Sequence, residues 1–167
     1  MEAKILRLTL TKRWFDMILY GEKKEEYREI KPYWIRRLLV CRAEQEQRGE
    51  NRSVPENIMF DLRNSHDVNK TFTAYRCYYR KFDYVEFTNG YGKGMPTMRV
   101  ECKGISAGQP AFKWYGKPTE DVCVYIISLG KVIDISNVYV PARKLALLPG
   151  PLRRKYLQLS SGTGDSI

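Results

Sequence analysis

Apolar and polar residues alternate from Lys4 to Leu10. Ile5, Leu6, Leu8 and Leu10 are separated by Arg7 and Thr9, and this period of two predicts a first strand. Thr11 is placed to cap a helix over 12–20. Within it, Trp14 and Ile18, like Phe15 and Leu19, lie four apart and form one apolar face. Gly21 stands where a helix end calls for a left-handed residue. A strand is expected over 25–30, ended by Pro32, which disfavours helix at Lys31. Residues 33–40 predict one or two helical turns rich in aromatics and arginine. Residues 42–54 (RAEQEQRGENRSV) form the most polar stretch and read as an exposed loop or helix extension.

Phe72, Tyr75, Tyr78 and Tyr79 recur at spacings of three and four among Arg and Lys. This predicts a half-basic helix over 69–81. Strands are expected over 82–88, 97–105 and 122–129, the last nearly all apolar and therefore central. Asn89, Gly90, Gly92 and Gly94 supply turn chemistry between the first two. Gly130 predicts a turn before a further strand over 131–135. Residues 141–167 change character, with Pro141, Pro149 and Pro151, the basic run Arg153, Arg154 and Lys155, and a Ser/Gly-rich end. The expected organisation is one domain over 1–136, with a helical, polar insert at about 33–81. A basic, partly flexible extension over 137–167 follows, with a short helix near 152–159. The element order argues for an α+β fold with a curved sheet or small barrel.

Composition sharpens this picture. The 167 residues are 43% hydrophobic, enough for a core, and include 12 Tyr, 6 Phe and 3 Trp. The formal net charge is +10, from 29 Lys and Arg against 19 Asp and Glu. Such a balance favours polyanionic partners, whether RNA, DNA, nucleotides or an anionic surface, although charge speaks to association and not to specificity. Cys41, Cys77, Cys102 and Cys123 are scattered without CxxC spacing, and His66 has no partner histidine, so no metal site and no cofactor are expected. The cysteines read as reduced thiols of a cytoplasmic protein, with Cys102 and Cys123 in the core. No apolar run approaches the length of a membrane span, so no membrane partner is expected.

The stretch Gly21 to Arg28 (GEKKEEYR) is too charged for a core and carries the candidate chemistry. In a strand, Glu26 and Arg28 share a face, and Lys23, just past the glycine turn, can curl back towards them. Arg supplies a bidentate fork for a carboxylate, a phosphate or a base edge, and Lys supplies a compact charge. A carboxylate between two cations accepts hydrogen bonds from a ligand N–H or acts as a base. Lys24, Glu25 and Glu29 are expected on the solvent side. The residues alone leave two readings open, a ligand pocket or an exposed strand laced with surface salt bridges.

The pattern Gly21-x-Lys23-x-x-Glu26-x-Arg28 resembles the signature of the ASCH domain, a branch of the PUA-like fold. Trp14-Phe15-Asp16-Met17-Ile18 is similar to the family's first helix. Phe87-Thr88-Asn89-Gly90-Tyr91-Gly92 is similar to its strand and turn, and Val124 to Lys131 (VYIISLGK) to its closing strand. The resemblance covers 4–135, and its strongest kinship is with the small basic ASCH proteins of phage and mobile elements. It implies a small mixed β-barrel surrounded by helices, with a cleft at the barrel mouth that binds RNA, a nucleotide or a modified base. Some members resemble hydrolases of acylated cytidine or of RNA. Lys23 matches their catalytic lysine, but Glu26 stands where they carry a nucleophilic threonine. Glu26 as a base activating water is the remaining catalytic expectation.

The candidate catalytic residues are therefore Lys23 and Glu26. The candidate ligand-binding residues are Lys23, Glu26, Arg28, Asn89, Tyr91 and Trp114. Asn89 and Tyr91 offer amide and phenol contacts or merely form a turn, and Trp114 offers a stacking surface or packs beneath a loop. Binding of RNA or a nucleotide leads the expectations. A small hydrolase is the first alternative. A module that binds a protein partner through the 33–81 insert is the second.

Overall fold

The computed structural model describes residues 2–41, 54–64 and 67–161. The polar run over 42–53, His66 and the tip over 162–167 lie outside the described residues. The chain is mixed α+β, as expected. A five-stranded sheet has the order β1-β5-β6-β7-β2. Its strands are β1 (Ile5–Leu10), β2 (Glu25–Glu29), β5 (Tyr84–Asn89), β6 (Thr97–Gly108) and β7 (Val124–Ser136). A second, two-stranded sheet pairs β3 (Leu39–Cys41) with β4 (Cys77–Tyr79). Internal contacts divide the chain into two compact units. Unit 1 holds Met1–Lys24, Phe82–Lys103 and Leu129–Ile167, and unit 2 holds Glu25–Lys81 and Gly104–Ser128.

Unit 1 is organised around a parallel pair. Leu6 lies opposite Val85 and Leu8 opposite Phe87, and all four are buried. Full burial of each such side chain contributes about 1.5–3 kcal/mol. Helix α1 (Lys12–Leu19) buries Phe15, Ile18 and Leu19, the face its spacing predicted. On the wetter face, Glu86 joins Arg7 at 3.1 Å and Arg99 at 2.9 Å. The 137–167 segment is not merely appended. Val140, Leu148 and Leu152 are buried, and the Val140 N–H donates to the Tyr156 hydroxyl at 3.0 Å. These residues flank a 3-10 helix (Ala142–Leu147) and open α6 (Gly150–Ser161), the helix expected there. Strand β7 runs unbroken through Gly130, where the sequence predicted a turn.

Unit 2 pairs β2 with β7 antiparallel, Glu26 opposite Ile127 and Arg28 opposite Tyr125. Pro32 opens helix α2 (Pro32–Leu38) at its first position, where no N–H is needed, and Ile35 and Leu38 are buried. Helix α3 (Glu56–Asn64) buries Ile58, Met59 and Leu62. The helix expected over 69–81 is shorter. Helix α4 (Val68–Ala74) is capped by Asp67, whose carboxylate accepts from the N–H groups of Asn69 and Lys70, both at 3.1 Å. It ends before Arg76, whose φ of 48° is incompatible with a right-handed helix, and Cys77–Tyr79 extends as β4.

The cysteine expectation is corrected on two counts. The β3–β4 register sets Cys41 directly opposite Cys77, and the two form a disulfide. Cys123 is exposed just before β7 begins, and Cys102 is only half-buried, although it continues the alternation of the buried Met98 and Val100 along β6. No helix among the described residues is long and apolar enough to cross a membrane.

Candidate functional site

The end of α1 fixes the position of Lys23. The Gly21 N–H donates to the Ile18 carbonyl at 3.0 Å, and the Glu22 N–H to the Met17 carbonyl at 2.8 Å. This pair of bonds closes a helix with a Schellman turn, which requires the left-handed φ of 79° seen at Gly21. The Lys23 N–H also donates to Met17, at 3.0 Å. The turn folds the lysine back over its own helix, and its Nζ stands 4.6 Å from the centre of the Trp14 ring. Lys23 is 3% exposed. A buried ammonium needs compensation, and the electron-rich indole face supplies part of it.

Lys23 borders a hollow of about 420 Å³ in unit 1. Among the described residues, four lysines line it, Lys23, Lys24, Lys103 and Lys131, against the one carboxylate of Glu101. The Glu101 carboxylate accepts from the Lys131 N–H at 3.1 Å and pairs with Lys103 at 3.2 Å. These bonds hold it below the ordinary glutamate range, the Lys131 N–H foremost and Lys103 next. Gly130 makes this arrangement sterically possible. A Cβ there would stand 2.6 Å from Lys103 Cε and 2.8 Å from Glu101 Cβ. Tyr20 also lines the hollow, and burial, with Asp16 and Tyr156 nearby, pushes its phenol up.

The other predicted residues of unit 1 lie outside this lining. The Asn89 backbone closes the end of β5, its N–H donating to the Pro96 carbonyl at 2.8 Å. Tyr91 is 89% exposed in the glycine-rich turn, between Gly90 and Gly92, both at positive φ.

In unit 2, Glu26 and Arg28 share a strand face, as predicted, and form an ion pair. The pair is buried, with 6% of the Glu26 side chain and 14% of the Arg28 side chain exposed. Arg28 also donates to the Tyr27 carbonyl at 2.8 Å, and its guanidinium stands 4.9 Å from the centre of the Trp34 ring. Its Nε–H is buried without a hydrogen-bond partner among the described residues, as is the hydroxyl of Tyr125. The Tyr27 hydroxyl donates to Glu25 at 2.6 Å and accepts from the Ala111 N–H at 3.1 Å. Burial, with that bond to Glu25, pushes the phenol up. Trp114 sits half-buried in the short helix α5 (Phe112–Tyr115), with Lys113 Nζ 4.2 Å from its ring centre. Lys24 and Glu29 are exposed, as expected, and Glu25 is half-buried.

Sequence reasoning missed Glu101, Lys131, Leu147 and Pro149 as lining residues. It also missed the two indoles, Trp14 and Trp34, that receive the buried cations. Two tryptophans within a few residues of a Lys/Arg-rich motif were the available signal. No known protein family, curated protein or solved structure matches this chain.

Proposed function

We propose that this protein binds RNA or a nucleotide, and that the lysine-lined hollow of unit 1 receives the phosphate. The observation that carries this reading is the gathering of four lysines around one concavity, with a single carboxylate among them. Lys24, Lys103 and Lys131 are exposed and present their charge to solvent. Lys23 is buried behind them. The net charge of +10 supports the same class of partner. So does the resemblance of the Gly21 to Arg28 pattern to ASCH domains, which also suggests that the sheet is PUA-like.

Fluorescence anisotropy with labelled single-stranded RNA and with a labelled nucleotide tests the reading. Three phosphate contacts on a single strand give a log–log salt slope of about −2, so Kd rises roughly 20-fold between about 50 and 200 mM salt. The double variant Lys103→Glu, Lys131→Glu is expected to weaken binding by about tenfold or more at low salt. Binding that ignores both salt and charge reversal, or no binding at low salt, refutes the reading.

A further inference from the structure

We propose that the 141–149 segment is a specificity wall of the hollow, so that the site selects an anion carrying an apolar ring over a bare phosphate. This inference rests on the anion-binding reading above and specifies the anion.

The lining combines two chemistries. The lysines supply charge, while Leu147 and Pro149, backed by the buried Ile18 and Val132, supply apolar surface that a bare phosphate cannot use. The volume of about 420 Å³ falls in the range of small-molecule sites, about 300–1,000 Å³. Leu147 is 54% exposed, yet its surroundings fix its position. Its neighbour Leu148 is 2% exposed in the core, and Lys144 Nζ stands 4.4 Å from the centre of the Tyr20 ring. A leucine held at the border of a charged hollow is preformed apolar surface, available to a ligand at little ordering cost. Glu101 adds an acceptor in the same lining, which suits the N–H edge of a nucleobase. The shared chemistry is one phosphorylated nucleoside, either free or at the 5′ end of an RNA strand.

Calorimetric titration of the full chain with ADP, inorganic pyrophosphate and a 5′-phosphorylated RNA tetramer tests the wall. The wild type is expected to bind ADP about tenfold tighter than pyrophosphate. Leu147→Ala is expected to lose about fivefold towards ADP and less than twofold towards pyrophosphate. Leu147→Met, which keeps the apolar volume, should restore ADP binding and guards against a folding defect in the alanine variant. A matching loss with the tetramer extends the wall's role to strand ends, and a loss confined to the tetramer assigns it to them alone. Both outcomes support the wall. Equal losses for ADP and pyrophosphate, or no loss for either ring-bearing probe, overturn it while leaving anion binding intact. If the wild type binds none of the three, the anion-binding reading falls and the wall with it.

Discussion

Arg28 and Glu26 are the most consequential pair to separate. Replacing Arg28 with Met keeps most of the stem's volume and removes three things. They are the ion pair with Glu26, the hydrogen bond to the Tyr27 carbonyl and the cation over Trp34. With so little of either side chain exposed, water does little to screen the loss. Breaking a buried pair by removing one partner costs about 3–5 kcal/mol. Some of this is returned, because the unpartnered Nε–H also disappears, and an orphan of that kind costs about 1–3 kcal/mol. The net expectation is about 2 kcal/mol. For a chain of this length that lowers Tm by about 4–8 °C. Glu26 makes further interactions, so its single variant alone does not isolate the pair. A double-mutant cycle of Arg28→Met and Glu26→Gln does, and should return a coupling of about 2 kcal/mol. The measurement is urea unfolding followed by far-UV circular dichroism and by tryptophan fluorescence, with coincident transitions as the two-state check. A coupling below about 0.5 kcal/mol, or an Arg28→Met protein that melts with the wild type, refutes the claim that these charges are buried against each other.

Two further outcomes follow from the rest of the fold. The Cys41–Cys77 bond spans a sequence separation of 36, and closing such a loop contributes about 4 kcal/mol in the chain-entropy account. Reductant should therefore lower Tm by about 8–16 °C in the wild type and leave a Cys41→Ser, Cys77→Ser variant unmoved; equal melting with and without reductant sinks this. Arg99 first, and Arg7 with it, hold the Glu86 carboxyl below its ordinary range despite some burial. Its folded pKa lies below its unfolded one, so its contribution is complete above the ordinary glutamate value of about 4.3 and disappears as pH falls through the folded value. Glu86→Gln should therefore cost at most about 1 kcal/mol at pH 7, with the gap from wild type closing in acid; a gap that widens as pH falls contradicts this sign.

Local signals were legible and distant ones were not. Strand β1, helix α1, the left-handed Gly21 and strand β2 could be read because each rests on a period or a turn residue within ten positions. The aromatic spacing beyond Val68 misled, since three residues of β4 are too few to show alternation against a helical background. Gly130 misled for a different reason. In the sequence it has the mark of a turn former, but in the fold it leaves room for Glu101 and Lys103. Lys23 was found through its motif. Glu101, Lys131, Leu147 and Pro149 carry no short-range mark, because folding from separate strands and the 3-10 segment creates their neighbourhood.

Strand β1 also has a history during synthesis. Its one ladder partner among the described residues, β5, lies 79 residues further along the chain. At about 5–20 residues per second, a ribosome needs roughly 4–16 s to deliver that partner. Throughout this interval Leu6, Leu8 and Leu10 belong to an unpaired apolar strand, the kind of segment that recruits other nascent chains. Lys4 flanks it and Arg7 interrupts it with charge, and Arg7 remains 69% exposed in the finished fold. The same alternation that writes the strand into the sequence thus also guards it until its partner arrives.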